Sequence, residues 1–515
     1  MLFKIGRKIS SSGAILSIYE VYNPPLAVKI LFFIIGFSFK DQERNNNFTA
    51  GEKLCNALQD MGTTFIKLGQ FLATRPDIIG EKIANDLEKL QDKLPAFNDY
   101  EAKNILKKEL GSKIFSQIVN ISEPVAAASI AQVHFAEILD NNVNKEVAIK
   151  ILRPNIEKIF NEELDALLLL AYLVENLIKK TQRLKLIEIV QLLREITNVE
   201  MDLRFEAAAA NEFYENTKND LGFNVPKIYW NYTSKEVLCL AKVDGISIRE
   251  VENLKLLSID TKKLAKNIIQ NFLKHAIRDG FFHADMHQGN IFVNKNGDIV
   301  PVDFGIMGRL DKNNKRFLAE ILYGFIKRDY KKVAEIHFLA GLVPHNVSKD
   351  EFAQALRSIG EPIFGQSIKN ISGSKLLSQL FNVTEKFNMQ TQIQLLLLQK
   401  TMVVVEGVAR KLNPDTNIWD VSKPILENWL MDFKNPINIA GEAASKASEV
   451  LKKLPDLPVI MDKANDVMTL IAEGKFNPNT MAYHSLKNEE LKLEILRNKI
   501  LGGVLVLVIF AVMVF

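Results

Sequence analysis

The stretch Phe281 to Leu310 reads FFHADMHQGNIFVNKNGDIVPVDFGIMGRL, and it decides more of the architecture than any other part of the chain. His283 and Asp285 come first, with Asn290 five positions after the aspartate. An apolar run, Ile291 to Val293, a turn signal at Asn296-Gly297 and a second apolar run, Ile299 to Val302, follow. Apolar runs on both sides of an Asn-Gly pair predict a β-hairpin. Directly after it stands Asp303-Phe304-Gly305. The spacing has a chemical logic. A loop aspartate sits beside a reacting group, an amide five residues on turns back toward it, and the hairpin returns the chain so that a second carboxylate meets the same point. Oxygen donors from separate loops suit a hard cation such as Mg2+, which takes few protein ligands and keeps room for water and phosphate oxygens.

That order resembles the catalytic and magnesium loops of protein kinases, H-x-D-x-x-x-x-N followed by D-F-G. Upstream, the strand-rich island Pro124 to Ile151 contains Val147-Ala148-Ile149-Lys150, which places Lys150 on a strand as the expected phosphate-binding lysine. Lys150, Asp285, Asn290 and Asp303 in this order imply ATP and Mg2+, with Asp285 the catalytic residue and Asn290 and Asp303 the metal ligands. His287 either orients Asp285 or is an ordinary loop histidine. Just ahead of the lysine strand, where kinases carry a glycine-rich loop, this chain has Pro124-Val-Ala-Ala-Ala-Ser-Ile-Ala-Gln-Val-His134. Alanine resists positive φ and adds a methyl where backbone should approach phosphate, so Ala126, Ala127, Ala128, Ser129 and Ile130 are expected to meet the nucleotide differently. Glu206 is the candidate carboxylate for pairing with Lys150, in competition with Glu195 and Glu200.

Two further motifs depart from an ordinary kinase: Lys67-Leu68-Gly69-Gln70 and Glu200-Met201-Asp202. With them the sequence resembles the UbiB family of atypical protein-kinase-like proteins, over about Leu54 to Asp415. Arg75-Pro76-Asp77, the run Leu90 to Pro95 and Glu406-Gly407 fit the same pattern. The resemblance implies an α+β, bilobal, atypical kinase-like fold, mostly helical, with an N-terminal helical extension. It implies that Lys67, Gly69 and Gln70 lie across the place where a kinase receives its protein substrate, that Glu200 and Asp202 are a regulatory pair, and that the alanine-rich turn replaces the glycine loop. The function it implies is an ATPase supporting ubiquinone (coenzyme Q) biosynthesis, acting on membrane lipids and quinone precursors beside other enzymes of that pathway. A nucleotide-gated scaffold and a true small-molecule or protein kinase are the competing readings. Leu238 to Gly245 is the expected hinge, with Ala241-Lys242 where the family usually has an acidic residue.

The chain has 515 residues, 47% of them apolar, enough for several domains with a large core. Lys and Arg number 65 against 61 Asp and Glu, and a net +4 over this length is no nucleic-acid footprint. Cys55 and Cys239 match no metal or redox spacing. Leu26 to Phe39 is apolar apart from Lys29, of interfacial or buried-helix length. Ile500 to Phe515 holds no polar side chain and, as a helix, would cover about 24 Å against a hydrocarbon core of about 30 Å. It is expected to be a C-terminal tail anchor, with a homodimer as one way for so short a tail to span. Lys487, Lys492, Arg497 and Lys499 precede it and place the globular part on the cytoplasmic side, and the family resemblance implies that the membrane is the bacterial inner membrane.

The expected division is a membrane-proximal segment 1–50, a helical extension 51–115 carrying the KxGQ motif, an N-lobe 116–245, a C-lobe 246–430, a helical arm 431–499 and the tail 500–515. Helices are expected at Asn155 to Lys179, Leu184 to Asn216, Thr261 to Arg278, Lys315 to Ile326, Thr391 to Leu412 and Ile437 to Ala472.

Overall fold

The computed structural model describes residues 49–73, 79–87, 94–177, 185–364 and 393–433, with isolated residues in the gaps. The apolar run Leu26 to Phe39, Arg75-Pro76-Asp77, the helix expected at Ile437 to Ala472, the rest of the helical arm and the tail 500–515 lie outside the described residues. Among the described residues no helix is long and apolar enough to cross a membrane. The chain divides into two compact units at Leu430, and the described elements belong to the first apart from the final residues of the last helix.

Three short helices open the described chain. Helix α1, Ala50–Met61, starts in a reciprocal cap in which Thr49 accepts from the Glu52 amide and the Glu52 carboxylate accepts from the Thr49 amide. Gly62, at φ 104°, breaks the path before α2, Thr63–Ala73, and α3 is Glu81–Leu87. Gly69 is a point of close packing, because a side chain there would collide with Leu58 and Leu90.

Helix α4, Asp99–Phe115, begins on an Asn98 cap. It covers one face of an antiparallel sheet made of β1 (Ile118–Val119), β2 (Pro124–Ala127), β3 (Ala131–Asp140), β4 (Val143–Leu152) and β5 (Val237–Ala241), ordered β1-β3-β4-β5 with β2 also on β3. Asn141 and Asn142, both at positive φ, make the two-residue turn between β3 and β4, a connection whose twist matches the strands. Ala102, Ile105 and Leu106 of α4 form a separate small core with Ile138, Val147, Ile149 and Ile151. Alternation along β4 sends these three apolar side chains to α4 and leaves Lys150 for the other face.

Between β4 and β5 the described residues form three α-helices: α5 Ile156–Leu177, α6 Leu186–Glu200 and α7 Leu203–Thr217. The single helix expected at Leu184 to Asn216 is therefore two. Asp202 takes an extended conformation at φ −126° and its side chain accepts from the Arg204 amide, so a carboxylate well suited to capping ends one helix and starts the next.

The second lobe is mostly helical around two small sheets. Strand β6 (Gly245–Ser247) leads to α8 (Val251–Leu256) and α9 (Thr261–Lys274), the latter capped by Asp260. The helix expected to reach Arg278 ends at Lys274 and widens into a π-turn, His275–Asp279. The buried Asp220 carboxylate fastens this turn. It takes bonds from Arg278 (Nη1 2.7 Å, Nη2 3.0 Å), from His275 Nε2 (3.1 Å) and from the Lys274 ammonium. Gly280, at φ 68° and with no room for a Cβ against the Leu310 carbonyl, turns the chain into β7 (Phe281–His283). The Asn296-Gly297 hairpin forms as β8 (Ile291–Asn294) and β9 (Ile299–Pro301), and β10 (Met307–Arg309) pairs with β7. Helices α10 (Lys312–Ile326), α11 (Tyr330–Leu339), α12 (Lys349–Phe364), α13 (Ile393–Leu412) and α14 (Ile418–Phe433) complete the lobe.

His337 on α11 is buried and drops to about 4, because burial disfavours its charge more than the nearby Val333 carbonyl favours it. An unfolded histidine binds a proton near 6.5, so this group's contribution is fully present above that pH and is lost as pH falls from 6.5 toward about 4. Its share is at most about 3 kcal/mol. Urea unfolding from pH 7 to pH 4 should show His337→Gln losing less stability on acidification than the wild type by up to that amount.

Candidate functional site

Lys150 stands near the end of β4, held in register between Val133 of β3 and Leu238 of β5. Its ammonium lies 2.9 Å from both Glu206 oxygens and 3.0 Å from Asp303 Oδ1. Glu206 sits in the first turn of α7, the helix that Asp202 caps. Of the three glutamates in competition, Glu206 reaches Lys150, while Glu200 at the end of α6 pairs with Lys67 at 2.9 Å. Both members of the Lys67–Glu200 pair are about 15% exposed, and the Lys67 charge also acts on Asp303. Lys67 thus arrives at the same cluster from the N-terminal helices. Gly69 is used for packing, and Gln70 is half-buried on the same helix.

Charge governs this cluster. Burial would lower Lys150, but the carboxylates of Asp303 and Glu206 outweigh it and hold the amine firmly protonated. The Lys150 ammonium keeps Asp303, whose side chain is half exposed, well below the usual carboxylate range. Glu206 is pushed upward by burial, with Lys150 opposing. One cation shared by two carboxylates leaves the site a net acceptor for positive charge.

Asp303 has φ 64°, an unusual conformation for a residue other than glycine, and such strain is concentrated at functional positions. The residue after it, Phe304, is buried in a chain of ring contacts. His283 lies 5.6 Å from Phe304, Phe304 lies 6.2 Å from Phe213, and Phe213 lies 5.0 Å from His275. Phe213 is two helical turns beyond Glu206 on α7, so the helix that positions one carboxylate packs on the residue beside the other.

The loop after β7 is held from within. His283 Nε2 donates to the Val302 carbonyl at 3.3 Å, and its Nδ1 accepts from the Asp285 amide at 3.1 Å, which fixes a neutral tautomer that burial also favours. Asn290 Nδ2 donates to the Asp285 backbone carbonyl and to Asp285 Oδ2, each at 3.2 Å. Both bonds use the amide's NH2, which leaves the Asn290 carbonyl oxygen as an acceptor for a cation. His287 Nε2 stands 3.7 Å from Asp285 Oδ2, an ion-pair distance, while its Nδ1 accepts from the Gly289 amide at 2.9 Å.

The alanine-rich turn is held by other elements. The Ala128 carbonyl accepts from Arg153 Nη2 (2.8 Å) and Nε (3.2 Å), and the Ile130 carbonyl accepts from the Arg153 amide (2.8 Å). The Ser129 carbonyl accepts from the Thr63 hydroxyl at the start of α2, at 3.3 Å. Ala126 is exposed, Ala127 and Ala128 are half-buried, and Ser129 and Ile130 have buried side chains. What Ser129 and Ile130 can offer a nucleotide is backbone.

The donor set fits Mg2+. Asp303 and Asn290 supply hard oxygens from separate loops, and among the described residues no group of three or more His, Cys, Asp or Glu gathers as a self-sufficient metal site. Such a site would leave most coordination positions to phosphate and water, as magnesium prefers. Gln132, Thr401 and Lys411 were not legible as neighbours of the turn and loop. Gln132 bonds the Phe97 amide (2.9 Å) and carbonyl (3.3 Å), fastening the entry to α4 beneath the alanine-rich turn, and nothing in its local sequence signals a partner 35 positions away.

A five-stranded antiparallel sheet with a buried Lys–Glu pair, joined to a helical lobe whose hairpin brings Asp303 to that lysine and whose preceding loop ties Asn290 to Asp285, defines an atypical protein-kinase-like protein. Residues 89–337 match the ABC1 atypical kinase-like domain, and residues 356–417 match the UbiB helical domain. A probable protein kinase UbiB from Histophilus somni is 39% identical over 84% of this chain and 80% of its own. Relatives of the same name from Marinobacter nauticus and Cellvibrio japonicus are both 36% identical, over 90% and 91% of this chain and 85% and 84% of theirs. Among solved structures, a Mycobacterium tuberculosis protein in complex with erythromycin is similar at 24% identity and a TM-score of 0.46, over 72% of this chain and 93% of that one. The chain belongs to the UbiB family.

Proposed function

We propose that this protein is an Mg-ATP-dependent, atypical kinase-like ATPase that supports ubiquinone biosynthesis at the bacterial inner membrane. The observation that carries the reading is the position of the Lys150 ammonium, within 3.0 Å of both Glu206 and Asp303. Lys150, charged throughout the working pH range, takes the phosphates. Asp303 and the Asn290 carbonyl hold the cation, which when bound neutralises phosphate charge. Asp285, fixed by Asn290 and by His283, orients the attacking hydroxyl or water. Positioning and charge neutralisation are most of what phosphoryl transfer needs from a protein.

The relatives carry the name probable protein kinase. The Lys67–Glu200 pair brings the KxGQ helix toward Asp303, and the family resemblance, which puts that helix where a peptide hydroxyl would approach, favours an acceptor other than a protein. Water or a small membrane-borne phenol is the acceptor this arrangement favours, with quinone precursors as the substrate class. Phosphate release from Mg-ATP by the full chain, with anionic vesicles and a quinone-like phenol added, tests the reading. Turnover that requires magnesium and rises with the phenol is expected. Label passing from ATP to a protein acceptor, with no free phosphate, would overturn it.

A further inference from the structure

One helix of the second lobe touches the loop that carries Asp285 at two places. The Thr401 hydroxyl on α13 lies 2.9 Å from the carbonyl of Ala284, the residue immediately before Asp285, and both Thr401 and Ala284 are buried. Ten residues on, Lys411 Nζ donates to Gln288 Oε1 at 2.8 Å, while the Ser247 hydroxyl bonds the Gln288 carbonyl at 3.3 Å. The Ala284 amide donates to the Ile306 carbonyl at 3.0 Å, so the peptide groups flanking Ala284 are held from opposite directions.

The same hydroxyl lies 2.8 Å from the Leu397 carbonyl one turn back on its own helix. A hydroxyl has one proton, so the two carbonyls share it. The sharing is unequal in consequence. Leu397 keeps its helical bond to the Thr401 amide whatever the side chain, whereas Ala284 depends on the hydroxyl, and a buried carbonyl deprived of its donor shifts to find another. A shift of the Ala284 peptide rotates the start of the segment that aims Asp285.

We propose that Thr401 is a positioning residue for Asp285, by which the helical domain sets the geometry of the catalytic loop. The inference rests on the proposed phosphoryl-transfer reading. Valine has the shape of threonine without the hydroxyl, and serine keeps the hydroxyl without the methyl, so the pair separates bonding from packing.

The experiment measures Mg-ATP turnover and ATP affinity for the full-length wild type, Thr401→Val, Thr401→Ser and Asp303→Asn, with amide hydrogen exchange of the segment around Asp285 as a readout independent of activity. Thr401→Val should lose roughly tenfold to a hundredfold in kcat with little change in ATP affinity, as misplacement by a fraction of an ångström allows. Thr401→Ser should recover most of that loss, and exchange around Asp285 should quicken in the valine variant alone. Equal kcat and equal exchange in Thr401→Val and wild type would overturn the proposal, as would a loss that serine does not restore. If the wild type shows no turnover sensitive to Asp303→Asn, the phosphoryl-transfer reading fails, and the exchange comparison alone decides whether Thr401 holds the loop.

Discussion

Asp303→Asn should reduce Mg-ATP turnover by on the order of a thousandfold or more while leaving the fold in place. The expectation of an intact fold comes from the backbone. Asp303 sits at φ 64°, a region that asparagine enters about as readily as aspartate, so the substitution adds no strain where most residues would. The change removes one negative charge and an anionic metal donor, and keeps size and one carbonyl oxygen. Lys150 keeps its bidentate partner Glu206, so the lysine stays where it is. The loss should therefore fall on magnesium and on the step that magnesium assists. Calorimetric titration with ATP should show affinity in magnesium dropping toward the value measured in chelator, and phosphate release should drop with it. Growth and quinone content in cells carrying only the variant then separate two classes of function. Quinone loss together with turnover supports the ATPase, whereas wild-type quinone content without turnover supports the nucleotide-gated scaffold.

The contrast between Asp303 and Glu206 shows where sequence reading works and where it stops. Asp303 was legible because its neighbours in sequence are its neighbours in function: the loop, the hairpin and the Asp-Phe-Gly turn form one continuous local unit whose spacing is set by short-range geometry. Lys150 was legible for a similar reason, as the last residue of the local motif Val147-Ala148-Ile149-Lys150 on a strand. Glu206 could only be ranked beside Glu195 and Glu200. A break at Met201-Asp202 turns α7 relative to α6 and sends Glu206 to Lys150 and Glu200 to Lys67, and the continuous apolar periodicity of Leu184 to Asn216 hides that break. The π-turn at His275–Asp279 was hidden likewise, and its contact with Asp220 spans 55 positions. Thr401 follows the leucine run Leu395 to Leu398, whose composition signals only a packed helix. Its contact with Ala284 spans 117 positions and is a product of tertiary packing alone.

Lys150→Met should be the most damaging single change to the stability of the unliganded protein, and the stability loss should depend on pH in a definite direction. In turnover the loss of the phosphate-binding cation is worth about a hundredfold to a thousandfold. In stability the variant leaves Glu206, 8% exposed at its side chain, and Asp303 without the cation that they share. Breaking a buried pair by removing one member costs about 3–5 kcal/mol when the remaining charge has no partner. Glu206 is already raised by burial with Lys150 opposing, and deleting the opposition raises it further. A carboxyl whose folded pKa lies above its unfolded value is favourable at low pH and becomes unfavourable as pH rises through the folded value. The deficit of Lys150→Met against the wild type should thus be largest near pH 8 and shrink toward pH 5, where Glu206 takes up a proton and becomes a neutral buried acid. Glu206→Gln should cost less, since Lys150 retains Asp303 at 3.0 Å, and its deficit should vary less with pH. Chemical unfolding of the three proteins across that range, without nucleotide, measures this directly. A Lys150→Met deficit that stays constant or grows on acidification would mean that Glu206 does not carry the charge the ion pair requires, and the electrostatic account of the site would have to be abandoned.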